Sequence, residues 1–320
     1  MATLAFGQPG TLLIVEVTDS TAYVRDTAEN PLFATKTAPT PAVGAPNFRQ
    51  VVAVGDIVSV NGRPAKGTYV NLNTQVMLQP DAVAGSGIAD IRRANWSDGY
   101  FEFQAEDGRM IGSIRTGGMT SQTGFGLPPP GQAAQVVGGS HSVMGGNGAF
   151  LGARGYMGGT QGGTTRVASI TEDPARRRAH AGGLQRWGIY VIPLSRPEVV
   201  TISGQPAVAH ASDSTPVTAA RPARAGEVLT LYASGLGPTR PGVDVGQPFP
   251  ASGPAQVCNS PIEVWVNGKA AEVLYAGGYP NATDRYQVNF RVPDGVASGT
   301  VSLQLGAAWI LGPDAGLAVQ

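Results

Sequence analysis

Aromatic and polar residues alternate in one short segment that holds the first candidates for chemistry. If the segment is a β-strand, Tyr100, Glu102 and Gln104 share one face. Phe101 and Phe103 then share the other face. A carboxylate enclosed by apolar walls is a stronger base than one in water, so an inward Glu102 would act as a general base or polarise an intermediate. The opposite arrangement, with Glu102 in solvent and the two phenylalanines packed inside, satisfies the same pattern.

Charged residues on other predicted strands are the next candidates. Arg115 and Arg154 end or cross strands, and Glu16 sits in a run that is apolar on both faces. These charges allow an inward ion pair, and they equally allow salt bridges at the rim of a sheet. We take Arg115, with Glu102 and Tyr100, as the candidate catalytic residues.

Two further features have both a functional and a structural interpretation. His141 lies between glycine and serine residues in a predicted flexible loop, without a carboxylate or a second histidine at metal spacing. Residues 172–180 predict a one-turn helix with an acidic start and a basic end, which suits the helix dipole. The functional interpretations are a catalytic histidine and a clamp for an anion or carboxylate.

Several standard chemistries find no support in the sequence. Residues 145–148 are glycine-rich but precede a predicted strand, and no Gly-Lys-Ser/Thr follows, which disfavours a phosphate-binding loop. No Gly-x-Ser-x-Gly elbow, His-Glu-x-x-His motif or EF-hand pattern is present. The single cysteine, Cys258, can form neither an internal disulfide nor a thiolate cluster. Nucleotide-binding and standard hydrolase chemistry are therefore disfavoured.

The composition indicates which elements position these residues. The 320-residue chain contains 45 glycines and 25 prolines, yet 42% of its residues are apolar and fall in short, evenly spaced runs. This pattern predicts an all-β protein with little helix. Nine candidate strands precede residue 198, and they predict an eight-to-nine-stranded antiparallel barrel. They are residues 11–17, 21–25, 51–60, 67–78, 100–104, 109–115, 132–137, 149–157 and 185–194.

Turn and loop signals divide the chain further. Asn61-Gly62 and Asp107-Gly108 supply residues that tight hairpins favour. Residues 34–47 and 116–131 are rich in proline or glycine and predict long loops, which tend to lie over a barrel mouth.

The second half of the chain predicts a smaller β-domain. Residues 200–224 turn to Ala, Ser, Thr and Pro with little alternation, as in a linker or a loosely held first strand. Five strands follow, which predict an immunoglobulin-like β-sandwich with Asn267-Gly268 as one hairpin turn. They are residues 228–233, 262–266, 271–275, 286–292 and 301–305. The domains are therefore 1–199, a boundary at 200–224, and 225–320.

Charge and hydropathy exclude several classes of partner. The chain has 22 basic and 22 acidic residues, so its formal net charge is zero and nucleic acid is not expected to bind. The longest aliphatic runs, such as residues 12–15, are far below the roughly 18–20 residues of a transmembrane helix. The first six residues show neither the basic nor the long apolar region of a signal peptide.

The first domain resembles a known barrel family. Residues 143–156, VMGGNGAFLGARGY, are similar to the GGTGxFxxARGxx strand pair of dirigent and allene-oxide-cyclase-like barrels, with Asn147 in place of the usual threonine. Residues 55–68 and 192–198 look like bacterial relatives of that barrel, so the resemblance covers residues 10–199. It implies a cofactor-free barrel that holds a small apolar molecule and steers a coupling or cyclisation. Phe150, between glycines, would fill the barrel or plug one end.

The second domain resembles another family. Residues 226–238, 273–277 and 286–293 are similar, in order, to an immunoglobulin-like, TIG-type C-terminal domain of bacterial secreted proteins. The resemblance implies an extracellular or cell-surface location.

Two hypotheses about function follow. In the first, the barrel binds a small apolar or aromatic molecule and orients or cyclises it, as a cofactor-free cyclase, isomerase or dirigent-type protein. In the second, the chain is a structural surface protein whose partners are copies of itself. Its 14% of charged residues suit the second hypothesis, because low charge weakens the usual defence against association.

Overall fold

The computed structural model describes residues 10–26, 47–77, 94–121, 139–159, 166–169, 171–180, 182–244 and 246–320. It consists almost entirely of β-strands, so the predicted all-β class is confirmed. The chain divides into two units: the first ends at Pro193, and the second begins at Leu194 and also includes residues 109–111. No helix within the described ranges has the length and apolar character needed to cross a membrane.

The first unit is a closed antiparallel barrel of eight strands, which confirms the predicted architecture. Around the barrel the order is β2-β3-β4-β5-β6-β7-β9-β1, and β1 pairs with β2 to close the sheet; β8 pairs in parallel with the second half of β1. The strands are β1 Thr11–Asp26, β2 Asn47–Val60, β3 Arg63–Met77, β4 Ala94–Gln104, β5 Met110–Ser121, β6 Gly139–Gly148, β7 Arg154–Gly159, β8 Arg166–Ser169 and β9 Gly183–Ile192.

Local sequence explains the hairpin between β2 and β3. Asn61 and Gly62 have φ angles of 53° and 75°, the left-handed pair that a type I′ turn requires. The Asn61 side chain also accepts a hydrogen bond from the backbone N–H of Ile14, at 2.7 Å, and so ties the turn to β1. The turn predicted at these two residues is confirmed.

Several predicted segments differ from the structure, among them the long loop predicted at residues 116–131, whose residues 116–121 belong to β5. Residues 11–17 and 21–25, predicted as two strands, form the single strand β1, whose register shifts at a bulge near Asp19. Residues 149–157 begin with a turn, and β7 starts only at Arg154. The predicted loop around His141 belongs to β6, because pairing with β5 draws this polar segment into the barrel. The predicted strand 132–137 lies outside the described residues.

A 3₁₀ helix at Pro174–His180 lies where the sequence predicts a helical turn. Arg177 and Arg178 both bind the carboxylate of Asp56 on β2, with Arg178 Nε 2.6 Å from Asp56 Oδ2. Glu172, just before the helix, pairs with Arg166 on β8. The sequence allowed a clamp for a bound anion or carboxylate at residues 172–180. In the structure Arg177 and Arg178 instead bind a carboxylate of the protein itself, that of Asp56.

The second unit is a curled, open sheet. Its main path runs β10-β14-β19-β18-β17-β20-β21, and the core contains Leu229, Leu231, Val288 and Phe290. Residues 200–224, predicted as a linker or a first strand, contain β11, β12 and β13. The strands are β10 Glu198–Val199, β11 Thr201–Ile202, β12 Gln205–Pro206, β13 Val208–His210, β14 Val228–Ser234, β15 Thr239–Arg240, β16 Val257–Cys258, β17 Ile262–Val266, β18 Lys269–Gly278, β19 Tyr286–Arg291, β20 Gly299–Ala307, β21 Ile310–Leu311 and β22 Ala315–Val319.

The ion pairs that Asp56 makes with Arg177 and Arg178 should stabilise the folded barrel by a measurable amount. We expect Asp56→Asn to lower the free energy of unfolding of the barrel by about 2 kcal/mol, because Arg177 is buried and loses its charged partner. Asp98→Asn, which breaks a solvent-exposed pair with Arg115, is the matched control and should change little. Urea denaturation of the full chain measures both variants, and equal effects would contradict the assignment.

Candidate functional site

The structure decides which face of β4 looks into the barrel. Phe101 and Phe103 are fully buried, whereas Tyr100 is 36% exposed and Glu102 is only half-buried. Glu102 accepts a hydrogen bond of 2.8 Å from Gln104 on the same outer face. Of the two arrangements that the sequence allows, the structure has the one with the phenylalanines inside.

Arg115 also lies on the outer surface of the barrel. Its guanidinium makes a two-pronged pair with Asp98, with Nε–Oδ1 and Nη2–Oδ2 distances of 3.0 and 2.7 Å. The hydrogen bond from Arg115 to Asp98 raises the pKa of the guanidinium above its usual value. Asp98 shares the outward face of β4 with Tyr100 and Glu102. The three predicted site residues thus occupy the outside of neighbouring strands, away from the barrel interior.

The other charged candidates make local contacts. Glu16 accepts a hydrogen bond of 2.6 Å from Ser59 and lies 3.7 Å from Arg186, with more than a third of its side chain exposed. Arg154 donates to backbone carbonyls, the shortest contact being 3.0 Å to Ala153. Both arrangements correspond to the rim contacts that the sequence allows.

Aromatic rings fill one end and the middle of the barrel. Phe150, in the turn between β6 and β7, is fully buried with its ring centroid 5.3 Å from that of Phe103. Beyond this pair, the Tyr69 centroid lies 4.9 Å from Phe101 and 5.5 Å from Trp187. The Phe103–Phe150 pair therefore occupies the hairpin end, and the other three rings form the next layer.

A polar layer follows on the far side of these rings. Asn71 and Ser97 are buried on β3 and β4, and Ser97 donates a hydrogen bond of 3.0 Å to Asn71 Oδ1. Thr116 of β5 is fully buried beside Gly99, where a Cβ would lie 2.5 Å from Thr116 Oγ1 and 3.5 Å from Asn71 Nδ2. A glycine at position 99 therefore leaves room for these polar side chains. We define Asn71, Ser97, Thr116 and His141 as the polar layer.

His141 is the titratable member of the polar layer. It pairs in register with Gly118 of β5 and is 3% exposed. Burial lowers the pKa of its imidazole to about 4, because the charged form is poorly solvated inside the barrel. The ring is therefore neutral near pH 7. For the Tyr69 hydroxyl, whose charged form is the anion, burial raises the pKa, and a hydrogen bond with Asn71 opposes this shift.

Two polar atoms of this region are buried without a hydrogen-bond partner among the described residues. They are Thr116 Oγ1 and Trp187 Nε1. Buried polar atoms in folded proteins are nearly always paired, so these two atoms are available for a hydrogen bond to a ligand or a water molecule. Together the aromatic rings and the polar layer can hold a small molecule, with rings against its faces and hydrogen bonds to its edge.

A cavity of about 620 Å³ in the second unit makes a weaker candidate. His210 Nδ1 lies 2.5 Å from Glu227, and Glu227 also accepts a 3.0 Å hydrogen bond from the Arg224 backbone N–H. These groups satisfy one another and hold a loop. Across the part of the chain that the structure describes, no group of three His, Cys, Asp or Glu side chains could hold a metal.

Asn71, Ser97 and Thr116 were not predicted from the sequence as members of a functional site. A signal was available, since Ser97 is in phase with Phe101 and Phe103, and Asn71 is in phase with Tyr69. His141 was noted, but its polar neighbours indicated a loop instead of an interior strand position.

Comparison with known proteins finds no matching family model, no matching curated protein and no matching solved structure. The geometry of the barrel interior is therefore the basis for assigning a function.

The buried histidine predicts that the barrel loses stability in acid. Its folded-state pKa is below the ordinary value of 6.5, so the unfolded chain takes up the proton more readily. The His141 contribution is fully present above about pH 6.5 and is lost as the pH falls towards 4, a loss of roughly 2–3 kcal/mol. Urea denaturation between pH 7.5 and 4.5 should show a smaller pH slope in His141→Gln. The exposed His180→Gln variant is the control and should keep the wild-type slope.

Proposed function

We propose that the barrel binds a small aromatic molecule against the polar layer. The observation that carries this proposal is the sequence of layers inside one barrel: Phe103 with Phe150 at the hairpin end, three rings in the middle, and buried hydrogen-bonding groups beyond them. Eight-stranded barrels are of a size that either fills with side chains or holds one small ligand.

The same arrangement supports orientation of a bound molecule. Rings of Tyr69 and Trp187 would contact its faces, while Asn71, Ser97 and Thr116 would select one edge. A confined molecule with one reactive geometry is favoured to cyclise or couple in a single way, because confinement removes the entropy of alternative orientations. A neutral His141 is able to accept a proton in such a step. This proposal therefore includes a cofactor-free cyclase, isomerase or dirigent-type activity.

We also propose the family relationships that the sequence motifs suggest. The closed eight-stranded barrel is compatible with a dirigent or allene-oxide-cyclase-like domain. A curled open sheet is compatible with a TIG-type domain of bacterial secreted proteins, and we infer an extracellular or cell-surface location from that resemblance.

Self-association is a second candidate function, favoured by one observation. Large apolar side chains stand exposed on the outer face of β3 and β4: Trp96 is 59% exposed, Leu72 is 50% exposed and Tyr100 is 36% exposed. Leu72 and Asp98 are direct cross-strand partners, so these side chains form one contiguous patch. A second copy of the chain is the partner that this hypothesis names.

Filling the polar layer should abolish ligand binding. Ala53 is buried directly opposite Asn71, so Ala53→Leu adds volume at the proposed site. The neighbouring Val54 faces outwards, which makes Val54→Leu the matched control. We expect Ala53→Leu to weaken 2-naphthol binding at least tenfold and Val54→Leu less than twofold, by ligand-observed NMR titration. Unchanged binding in a folded Ala53→Leu protein would exclude this site.

Trp96→Ser tests the second candidate. If the outer patch joins two copies, wild-type protein should change its sedimentation coefficient over a dilution series, and Trp96→Ser should weaken the association about tenfold or more. Leu274→Ser, which removes a 45% exposed leucine from the second unit, is the control. A wild-type monomer at every concentration would overturn self-association through this face.

A further inference from the structure

The polar layer and the ring beside it offer unused hydrogen-bond donors. Trp187 Nε1 can only donate, and it is buried with no acceptor among the described residues. The Thr116 hydroxyl is also buried with no hydrogen-bond partner among the described residues, and it can donate or accept. Burying an N–H or O–H group without a partner destabilises a protein by roughly 1–3 kcal/mol, so a bound acceptor would be favoured here.

One acceptor of this region, Asn71 Oδ1, is already engaged. Asn71 Oδ1 accepts a hydrogen bond from the Ser97 hydroxyl. The amide nitrogen of Asn71 lies on the side of Gly99 and Thr116. Asn71 also hydrogen-bonds the Tyr69 hydroxyl. Trp187 Nε1 can only donate, and the Thr116 hydroxyl and the Asn71 amide nitrogen are also able to donate, so together these groups can recognise an oxygen atom that accepts.

The buried side chains that the structure describes in the barrel provide no unpaired charge to bind an ion. Among the buried side chains described for the barrel unit, the only one with a formal charge is Arg177, and its partner Asp56 lies on β2 between the inward residues Gly55 and Ile57. His141 is neutral near pH 7. A carboxylate or ammonium ligand would lose its hydration without gaining an opposite charge, which disfavours both.

We propose that the barrel selects a neutral, planar carbonyl compound, such as an aryl ketone, whose oxygen accepts hydrogen bonds from Thr116 and Trp187 while its ring lies against the aromatic layer. This inference deepens the proposed function and rests on it. It adds the chemical class of the ligand and names two residues that determine specificity.

The test compares three small probes of similar shape with the full-length protein. 1-Indanone carries a ring and a carbonyl, indane lacks the carbonyl, and indane-1-carboxylate carries a negative charge. Dissociation constants come from ligand-observed NMR titration at pH 7. We expect 1-indanone to bind at least fivefold more tightly than either of the other probes.

Two variants of Thr116 isolate its hydroxyl. Thr116→Val keeps the shape but removes the donor, and it should weaken 1-indanone binding roughly fivefold while leaving indane binding unchanged. Thr116→Ser restores a hydroxyl and should recover most of the affinity. Trp187→Phe removes the indole N–H and should reduce the preference for 1-indanone over indane in the same direction. Indane binding reports in each variant that the pocket is folded.

The outcomes separate this inference from the proposed function. Equal binding of 1-indanone and indane, or tighter binding of the carboxylate, would overturn the carbonyl assignment and leave an aromatic-binding barrel. A preference that persists in Thr116→Val and Trp187→Phe would remove these residues from the specificity-determining role. Failure of all three probes and of 2-naphthol to bind would overturn both proposals together.

Discussion

Closure of the barrel through β1 is the constraint on which the site depends. This strand pairs with β9 on one side and with β2 on the other, so the eight strands form a ring without a free edge. Because side chains alternate between the two faces of a strand, closure assigns every residue to the inside or the outside at once. Residues 15–17 of β1 pair with both β9 and β2, and after the bulge near Asp19 residues 21–24 keep β2 on one side and pair with β8 on the other.

Inside the ring, the size of the side chains produces a gradient from apolar to polar. Phenylalanine side chains fill the hairpin end, and small or polar residues line the opposite layer, where Ala53 faces Asn71 and Asn71 faces Gly99. Gly99 lets Thr116 and Asn71 approach its backbone closely, and the polar residues give this layer hydrogen-bonding character. In the proposed function, stability and binding would depend on different ends of one interior, because tight apolar packing and an available polar surface cannot occupy the same layer.

The outer surface shows how an alternating pattern can be misassigned. On β4, Tyr100 and Glu102 were predicted as candidate catalytic residues. The phenylalanines that alternate with them are buried and occupy the interior. Two inward phenylalanine rings bury far more apolar area than an inward Glu102 would, so the hydrophobic effect selects this face. For His141 the sequence predicted a position that the structure does not have. Its polar neighbours indicated a loop, but pairing of β6 with β5 places the residue inside the barrel.

The sequence by itself determined the all-β class, the antiparallel barrel and the hairpin turns at Asn61-Gly62 and Asn267-Gly268, because these depend on local alternation and on φ angles that few residues adopt. Only the tertiary structure decided which alternating face is inward, that β1 is one bulged strand, and that Asn71, Ser97, Thr116 and His141 form one layer. A pattern with a period of two is symmetric between its faces, and residues from four different strands become neighbours only when β3, β4, β5 and β6 pair in one register.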